Sequence, residues 1–386
     1  MKCRLVICVT VTDTVTYILR DQPRFLSRYF DTHLISGSSA PGALSTVEEV
    51  TWHLVPMKRR ISLLKDIISL IQMIVIIRRL RPNIVHSYTP KAGLVSMMAS
   101  WMCRVPVRVH TFTGLIWPTS RGVERLFALL ADRAVCAFAT DVIAEGEGIK
   151  KVLTNKPVDC KDVRVIGFGN IAGVDTDYFS RENVDLISHS VDLRREYNIS
   201  TRDFVFTFIG RLNIDKGISE LITAFKKSTE NSWHLLIVGS IDSSNPVSKN
   251  DLSEIFRHPR VHLLGFREDV RPSLLASDVL VLPSYREGFP NVLLQAGAME
   301  VPVISTDIPG SNEIVKEGFN GWLVKPKDSD ALFEVMQSVY RLSAADRKAV
   351  GDRGRLHVLQ KFKHTDHWQR ILKFYIDALR AKDYSP

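Results

Sequence analysis

Cysteine is scarce: five in 386 residues, with no C-x-x-C pair. That leaves no disulfide framework and no zinc-finger spacing. The number is odd, and several of Cys3, Cys8, Cys103, Cys136 and Cys160 lie in apolar runs, as reduced, buried thiols of a cytosolic protein do. No stretch reaches the roughly 18–20 apolar residues a membrane span needs. Lys2 and Arg4 followed by apolar Leu5 to Val11 have the look of a short signal peptide. Thr12-Asp13-Thr14 interrupts that run and no small-residue cleavage site follows, so a first β-strand is expected instead. Internal repeats, low-complexity tracts and RNA-binding signatures are absent too.

What is present begins with charge. Of the net +9, residues 1–180 supply +8, from 23 Lys+Arg against 15 Asp+Glu; residues 181–386 are close to neutral. A basic first half implies an anionic partner. Its cations are scattered rather than gathered in a nucleic-acid motif, which favours an anionic membrane or a lipid diphosphate over nucleic acid.

Apolar runs alternate with helical patterns along the whole chain, the mark of α/β architecture with parallel sheets. Strands are expected near 4–10, 33–36, 52–55, 84–87, 107–111, 141–144 and 163–166. A second series falls near 204–209, 235–238, 261–264, 279–282, 301–305 and 322–324. The clearest helices of the first half are 61–80, 91–102 and 122–138. In the second, 328–342, 344–360 and 366–380 read as helices, and the polar stretch 180–201 reads as a linker or surface segment. The helix at 61–80 is amphipathic, with Leu64, Ile67, Ile68, Ile71, Ile74 and Val75 on one face. Packing of that face against its own sheet is expected. The flanking Lys58, Arg59, Arg60, Arg78, Arg79 and Arg81 also suit an anionic lipid surface.

Three stretches carry chemistry. Ser284 to Ile304 reads as loop, helix and strand, with Pro290 placed as a first helical residue and Glu287 just ahead of it. Amides at a helix N-terminus attract phosphate and a carboxylate holds hydroxyl groups, so the stretch suits a ligand that is part phosphate and part sugar. After the strand 204–209, Gly210 opens a loop bearing Arg211 and Lys216, two cations ahead of a helix, as a diphosphate site would have. In the first half, His86 and His110 each end a strand and precede a polar loop, on the side where ligands of such sheets bind. Asp175-Thr176-Asp177 forms a D-x-D triplet, but it lies in a hinge and reads as structural; no metal is expected.

The motif E-G-F-P-N-V-L-L-Q-A-G-A-M (287–299) resembles the signature of family 4 glycosyltransferases, retaining enzymes of the GT-B fold that use nucleotide sugars. G-R-L-N-I-D-K-G (210–217) resembles their phosphate-binding loop, and Gly173, Val174, Asp175 and Phe179 match their G-V-D-x-x-x-F junction. The likeness is strongest to bacterial enzymes that build capsule, O-antigen or glycan-lipid chains. It implies two Rossmann-like doubly wound domains facing across a cleft. Residues 1–180 would bind the acceptor and 181–365 the nucleotide sugar, and a terminal helix within 366–386 would cross back to the first domain.

The resemblance assigns roles as well. Glu287, His110, Arg211 and Lys216 are implied to be catalytic. Gly210, Arg211, Lys216, Phe266, Glu287, Gly288, Phe289, Pro290, Asn291, Val292 and Gln295 are implied to hold the donor. His86, Lys91 and Thr12 fall on the acceptor side, Thr12 where relatives have a glycine-rich turn; capping of the next helix is the commoner use of such a residue. Gln295 departs from the family, which has a second Glu there, so weaker nucleotide binding with intact chemistry is expected. A UDP-linked N-acetylhexosamine as donor, an undecaprenyl-diphosphate glycan as acceptor, no cofactor beyond the donor, and a cytoplasmic protein peripheral to the membrane complete the implication. A nucleotide-sugar epimerase and a non-catalytic nucleotide-sugar binder are the alternatives.

Overall fold

The computed structural model describes residues 2–38, 50–57, 62–118, 120–243 and 245–384. It contains two compact units. The first is Met1–Gly173 together with His364–Pro386, and the second is Val174–Lys363. The junctions fall earlier than the expected 180/181 and 365/366. Val174 already belongs to the second unit, because its N–H donates to the carbonyl of Phe362 (2.8 Å) and its side chain joins the same core as Phe179.

The first unit is built on seven strands: β1 (Arg4–Val9), β2 (Asp31–Ser36), β3 (Thr51–Leu54), β4 (Ile84–Tyr88), β5 (Val107–Phe112), β6 (Asp141–Ala144) and β7 (Val163–Val165). They pair in parallel in the order β3-β2-β1-β4-β5-β6-β7. Their near-continuous apolar runs suit strands covered on both faces. The helices Leu63–Leu80, Pro90–Met102 and Gly122–Phe138 share one core cluster, packing through Met73, Val95 and Val135 on the face that right-handed crossovers favour. Gln22–Ser27 and the terminal helix His364–Arg380 cover the other, with Phe30 and Tyr375 in the core.

The terminal helix is thus part of the first unit, as expected. Tyr375 Oη lies 2.5 Å from Nδ1 of His86, whose Nε2 meets Thr111 Oγ1 at 2.7 Å. This buried polar group links the last helix to β4 and β5.

The second unit repeats the scheme with β8 (Phe204–Ile209), β9 (Trp233–Val238), β10 (Val261–Gly265), β11 (Val279–Leu282), β12 (Val303–Thr306) and β13 (Gly321–Val324), ordered β10-β9-β8-β11-β12-β13, all parallel. In each sheet the chain reverses its winding direction beside the first strand, between β1 and β4 and between β8 and β11. Ligands of open parallel sheets sit at such switch points, beyond the carboxyl ends of the strands.

Three expectations are corrected. The polar stretch 180–201 is not a linker throughout: it contains the helix Val184–Glu196, capped by Asn183, whose side chain accepts from the N–H groups of Asp185 and Leu186. Few apolar residues of that helix are buried, which is why the pattern was faint. Pro290 is the N-cap rather than the first residue of the helix Asn291–Ala298. Most consequential is the helix Leu63–Leu80. It turns Ser69, Met73 and Ile77 toward the sheet, while Leu64, Ile67, Ile68, Ile71 and Val75 point outward and are exposed. Lys58, Arg59 and Arg60 lie outside the described residues.

Candidate active site

At the switch point of the second sheet, two loops lock together. The loop after β8 ends in a short turn, Ile214–Lys216, and Gly217. Gly217 has a φ of 65°, and a Cβ there would lie 2.1 Å from the carbonyl oxygen of Pro283, so only glycine allows the loop after β11 to come this close. Above that contact the two loops pair residue by residue. The carbonyl of Asp215 accepts from the N–H of Tyr285 (2.7 Å), and its carboxylate accepts from Arg286 (2.7 Å). Lys216 Nζ donates to Glu287 Oε1 at 2.5 Å, with the two side chains 20% and 11% exposed. The Tyr285 hydroxyl donates to Glu220, on the helix that follows Gly217.

The carboxylate of Glu287 is therefore held by its lysine in a largely dehydrated site, where a charged hydrogen bond is stronger than in water. Just beyond it, the helix Asn291–Ala298 receives no side-chain cap from Pro290. Its Leu293, Leu294 and Ala296 are buried, whereas Asn291, Val292 and Gln295 form a half-buried stripe. Gly310, after β12, crosses the carbonyl of Gly288 so closely that a Cβ would lie 2.2 Å from it. Around this crown Asn213 Oδ1, Ser284 Oγ and Ser311 Oγ are buried with no hydrogen-bond partner. Buried polar atoms are rarely left so, and three near the ends of β8, β11 and β12 mark a place where a polar ligand has bonds to gain.

Arg211 also carries a partner: its guanidinium donates to Asp242 at 2.8 Å while the side chain remains more than half exposed. Both cations of the loop are thus balanced by carboxylates. Gly210 sits over Gly239, whose Cβ would fall 1.9 Å from the Gly210 carbonyl oxygen. Phe266, after β10, is exposed. Phe289 belongs to the same loop as Glu287. Its ring is in the core against Phe362, so only its main chain is open to a ligand.

In the first unit the expected residues are more enclosed. His110 is buried beside Phe112, with Ser87 Oγ 2.8 Å from its Nδ1 and Gly93 against the ring. Burial lowers its pKa from the usual 6.5 to about 3. Burial also lowers that of His86, with the neighbouring His110 adding to the effect. Since both its ring nitrogens are engaged, His86 is a core residue and not a ligand contact. Lys91 is paired with Asp66 at 2.6 Å, mostly covered. Thr12 lies just ahead of the helical turn Thr14–Leu19, whose N-cap is Asp13. Thr12 accepts through its carbonyl from Val15 and Thr16, and Oγ1 meets Ser38 Oγ at 2.7 Å. Asp175 of the D-x-D triplet accepts from the N–H groups of Asp177 and Tyr178, closing a local turn. Among the described residues no three His, Cys, Asp or Glu side chains gather as a metal-holding group.

Sequence reasoning missed Asp242, Asp215, Arg286, Ser87 and Gly93. Arg286 immediately precedes Glu287, and Asp215 precedes Lys216, so both were within sight. Asp242 pairs across 31 positions with no local signal.

Comparison with known proteins places both halves of the chain. The family "Glycosyl transferases group 1" matches residues 191–357, and "Glycosyl transferase 4-like domain" matches residues 15–169. The capsular polysaccharide biosynthesis glycosyltransferase CapM of Staphylococcus aureus is 31% identical over 97% of each chain. The UDP-Gal:alpha-D-GlcNAc-diphosphoundecaprenol alpha-1,3-galactosyltransferase of Escherichia coli is 30% identical over 80% of each. Among solved structures, Anabaena Alr3699/HepE in complex with UDP and glucose aligns with a TM-score of 0.80, at 19% identity, over 97% of this chain and 99% of that one.

Proposed function

Because the chain belongs to the group 1 glycosyltransferases, with a family 4-like first domain and the GT-B fold, we propose that it moves a sugar from a UDP-linked donor onto a lipid-diphosphate-linked glycan in the assembly of a bacterial surface polysaccharide. The observation that carries the reading is the Lys216–Glu287 pair, set between two loops at a sheet switch point with Arg211 on the same loop. It provides, side by side, a cation for phosphate and a carboxylate for sugar hydroxyls.

In this mechanism the bond from the anomeric carbon to the diphosphate breaks as the acceptor hydroxyl bonds to that carbon from the same face. The hydroxyl's proton passes to the departing phosphate. Retention of configuration follows. Arg211, Lys216 and the positive end of the helix Asn291–Ala298 take up the negative charge that grows on the leaving group. Being fixed in advance, they need little reorganisation. Glu287 holds a sugar hydroxyl and steadies the positive charge developing at the anomeric carbon. Diphosphate binding shares Lys216 with Glu287 and draws Arg211 from Asp242. His110 serves as a neutral hydrogen-bonding group: if Ser87 donates to Nδ1, Nε2 carries the proton. Gln295 holds the nucleoside with a neutral bond where relatives use a charged one. An N-acetylhexosamine is the sugar proposed.

A panel of nucleotide sugars incubated with an undecaprenyl-diphosphate glycan, with and without chelator, tests the proposal. Acceptor-dependent release of UDP that persists in chelator is the expected result. Release independent of acceptor would favour an epimerase or hydrolase. Activity that vanishes in chelator and returns with manganese would remove the part given to Arg211 and Lys216.

A further inference from the structure

The helices Leu63–Leu80 and Gly122–Phe138 are built outward. In the first, Met73 and Ile77 are buried, and directly opposite them Leu64, Ile67, Ile68, Ile71 and Val75 are exposed, Leu64 at 79%. In the second, Val135 is buried in the core and Ala128 and Leu129 pack against it. The buried face carries Asp132, whose carboxyl burial pushes its pKa up to about 7, while Val123, Leu126, Phe127 and Leu130 stand in solvent. A lone exposed apolar residue needs no explanation; nine in register on two helices do. Both helices lie on one face of the first sheet, flanking Pro90–Met102, whose exposed Trp101 and Met102 lie at its end.

Cations surround this apolar surface. Arg78, Arg79 and Arg81 end the first helix, Arg104 follows the middle one, and Arg121 and Arg125 begin the third; all are exposed. Arg78, Arg81 and Arg104 open into one cavity of about 490 Å³ with Asn83 and Tyr384, at the edge of the sheet where β4 and β5 start. This is the end opposite the ligand-binding edge.

We infer that this face docks on an anionic membrane leaflet, the outward stripes entering the headgroup–acyl boundary and the arginine cavity receiving lipid phosphate. Charge decides between this occupant and a second copy of the chain. Across a two-fold interface the same arginines would confront one another, whereas an anionic leaflet neutralises them, at about 1 kcal/mol per cation near the surface. The inference is independent of which sugar is moved.

Flotation with vesicles of phosphatidylglycerol and phosphatidylcholine, against phosphatidylcholine alone, tests it with no donor or acceptor present. The wild-type protein is expected to float with the anionic vesicles only, and less as salt rises. Ile67→Ser with Ile71→Ser, and Leu126→Ser with Phe127→Ser, should each weaken binding about tenfold or more. Arg78→Glu with Arg104→Glu should do the same, and melting temperatures should hold in all three pairs. The pairs lie on separate elements, so misfolding of one leaves the others informative. Equal flotation of wild type and variants, or no flotation of the wild type, overturns the inference. A wild-type dimer that the serine pairs dissociate, without flotation, assigns the face to a second copy instead.

Discussion

Replacing Lys216 with methionine keeps the aliphatic stem and removes the charge from beside Glu287. The carboxylate, 11% exposed, then lacks the donor that holds it at 2.5 Å. A hydrogen bond to a charged group contributes about 1.5–3 kcal/mol. Stranding a fully buried charge costs about 3–5 kcal/mol, but the lysine side chain is 20% exposed and water can reach the gap, so the lower range applies. Taking about 2 kcal/mol, and about 2–4 °C per kcal/mol for a unit of this size, the second unit should melt roughly 4–8 °C lower. Glu287→Gln should lose less, because the amide oxygen can still accept from Lys216, whose ammonium is the more exposed of the pair. The double variant should recover part of the loss, with a coupling of about 1–2 kcal/mol in a double-mutant cycle. Calorimetry with and without UDP reads both sides: Lys216→Met should also lose most of the stabilisation that UDP gives the wild type. Strict additivity, or a Lys216→Met protein that melts and responds to UDP like the wild type, would refute the pairing as the organising contact.

Glu287→Gln should lower kcat by about a hundredfold or more with little change in KM for the donor, and Gln295→Ala should raise that KM several-fold with kcat nearly intact; steady-state kinetics separate the two. Gly93→Ala would put a Cβ 2.3 Å from the His110 ring, which has nowhere to move, so a cost of about 1–3 kcal/mol and a loss of transfer are expected, read by melting and by UDP release. Burial lowers the pKa of His110 to about 3 and that of His367 to about 4, so both are neutral when folded and protonate more readily when unfolded. Their contribution is complete above pH 6.5 and declines as pH falls toward those values. Denaturant titrations should find stability falling from pH 7 to pH 5 by roughly 1–2 kcal/mol for each.

Much of this architecture was legible because parallel strands buried on both faces leave long apolar runs. Phe204–Ile209 and Val279–Leu282 have the bounds their apolar runs gave. The helix Val184–Glu196 was hidden because it touches the core through few side chains. The orientation of Leu63–Leu80 was misread for a different reason. Periodicity reports that a helix has an apolar face and is silent on which neighbour covers it, and here the helix is apolar on two sides. Glu287, Arg211 and Lys216 were visible in their motifs, but their carboxylate and ammonium partners depend on loops meeting across the sheet. The close approach of those loops, at Gly217 and Gly310, has no counterpart in the spacing of the motifs.

The first unit is discontinuous: its sheet is complete by Val165, yet the helix that covers Phe30 and engages His86 is His364–Arg380. During synthesis that sheet must wait, one face covered in part by Gln22–Ser27, while 190 further residues emerge and fold. A ribosome stalled just before His364, or a protease cutting there, would injure the portion made first and spare the portion made second. Closure of the first unit therefore rests on the helix His364–Arg380, whose arrival completes the packing of a sheet made long before it.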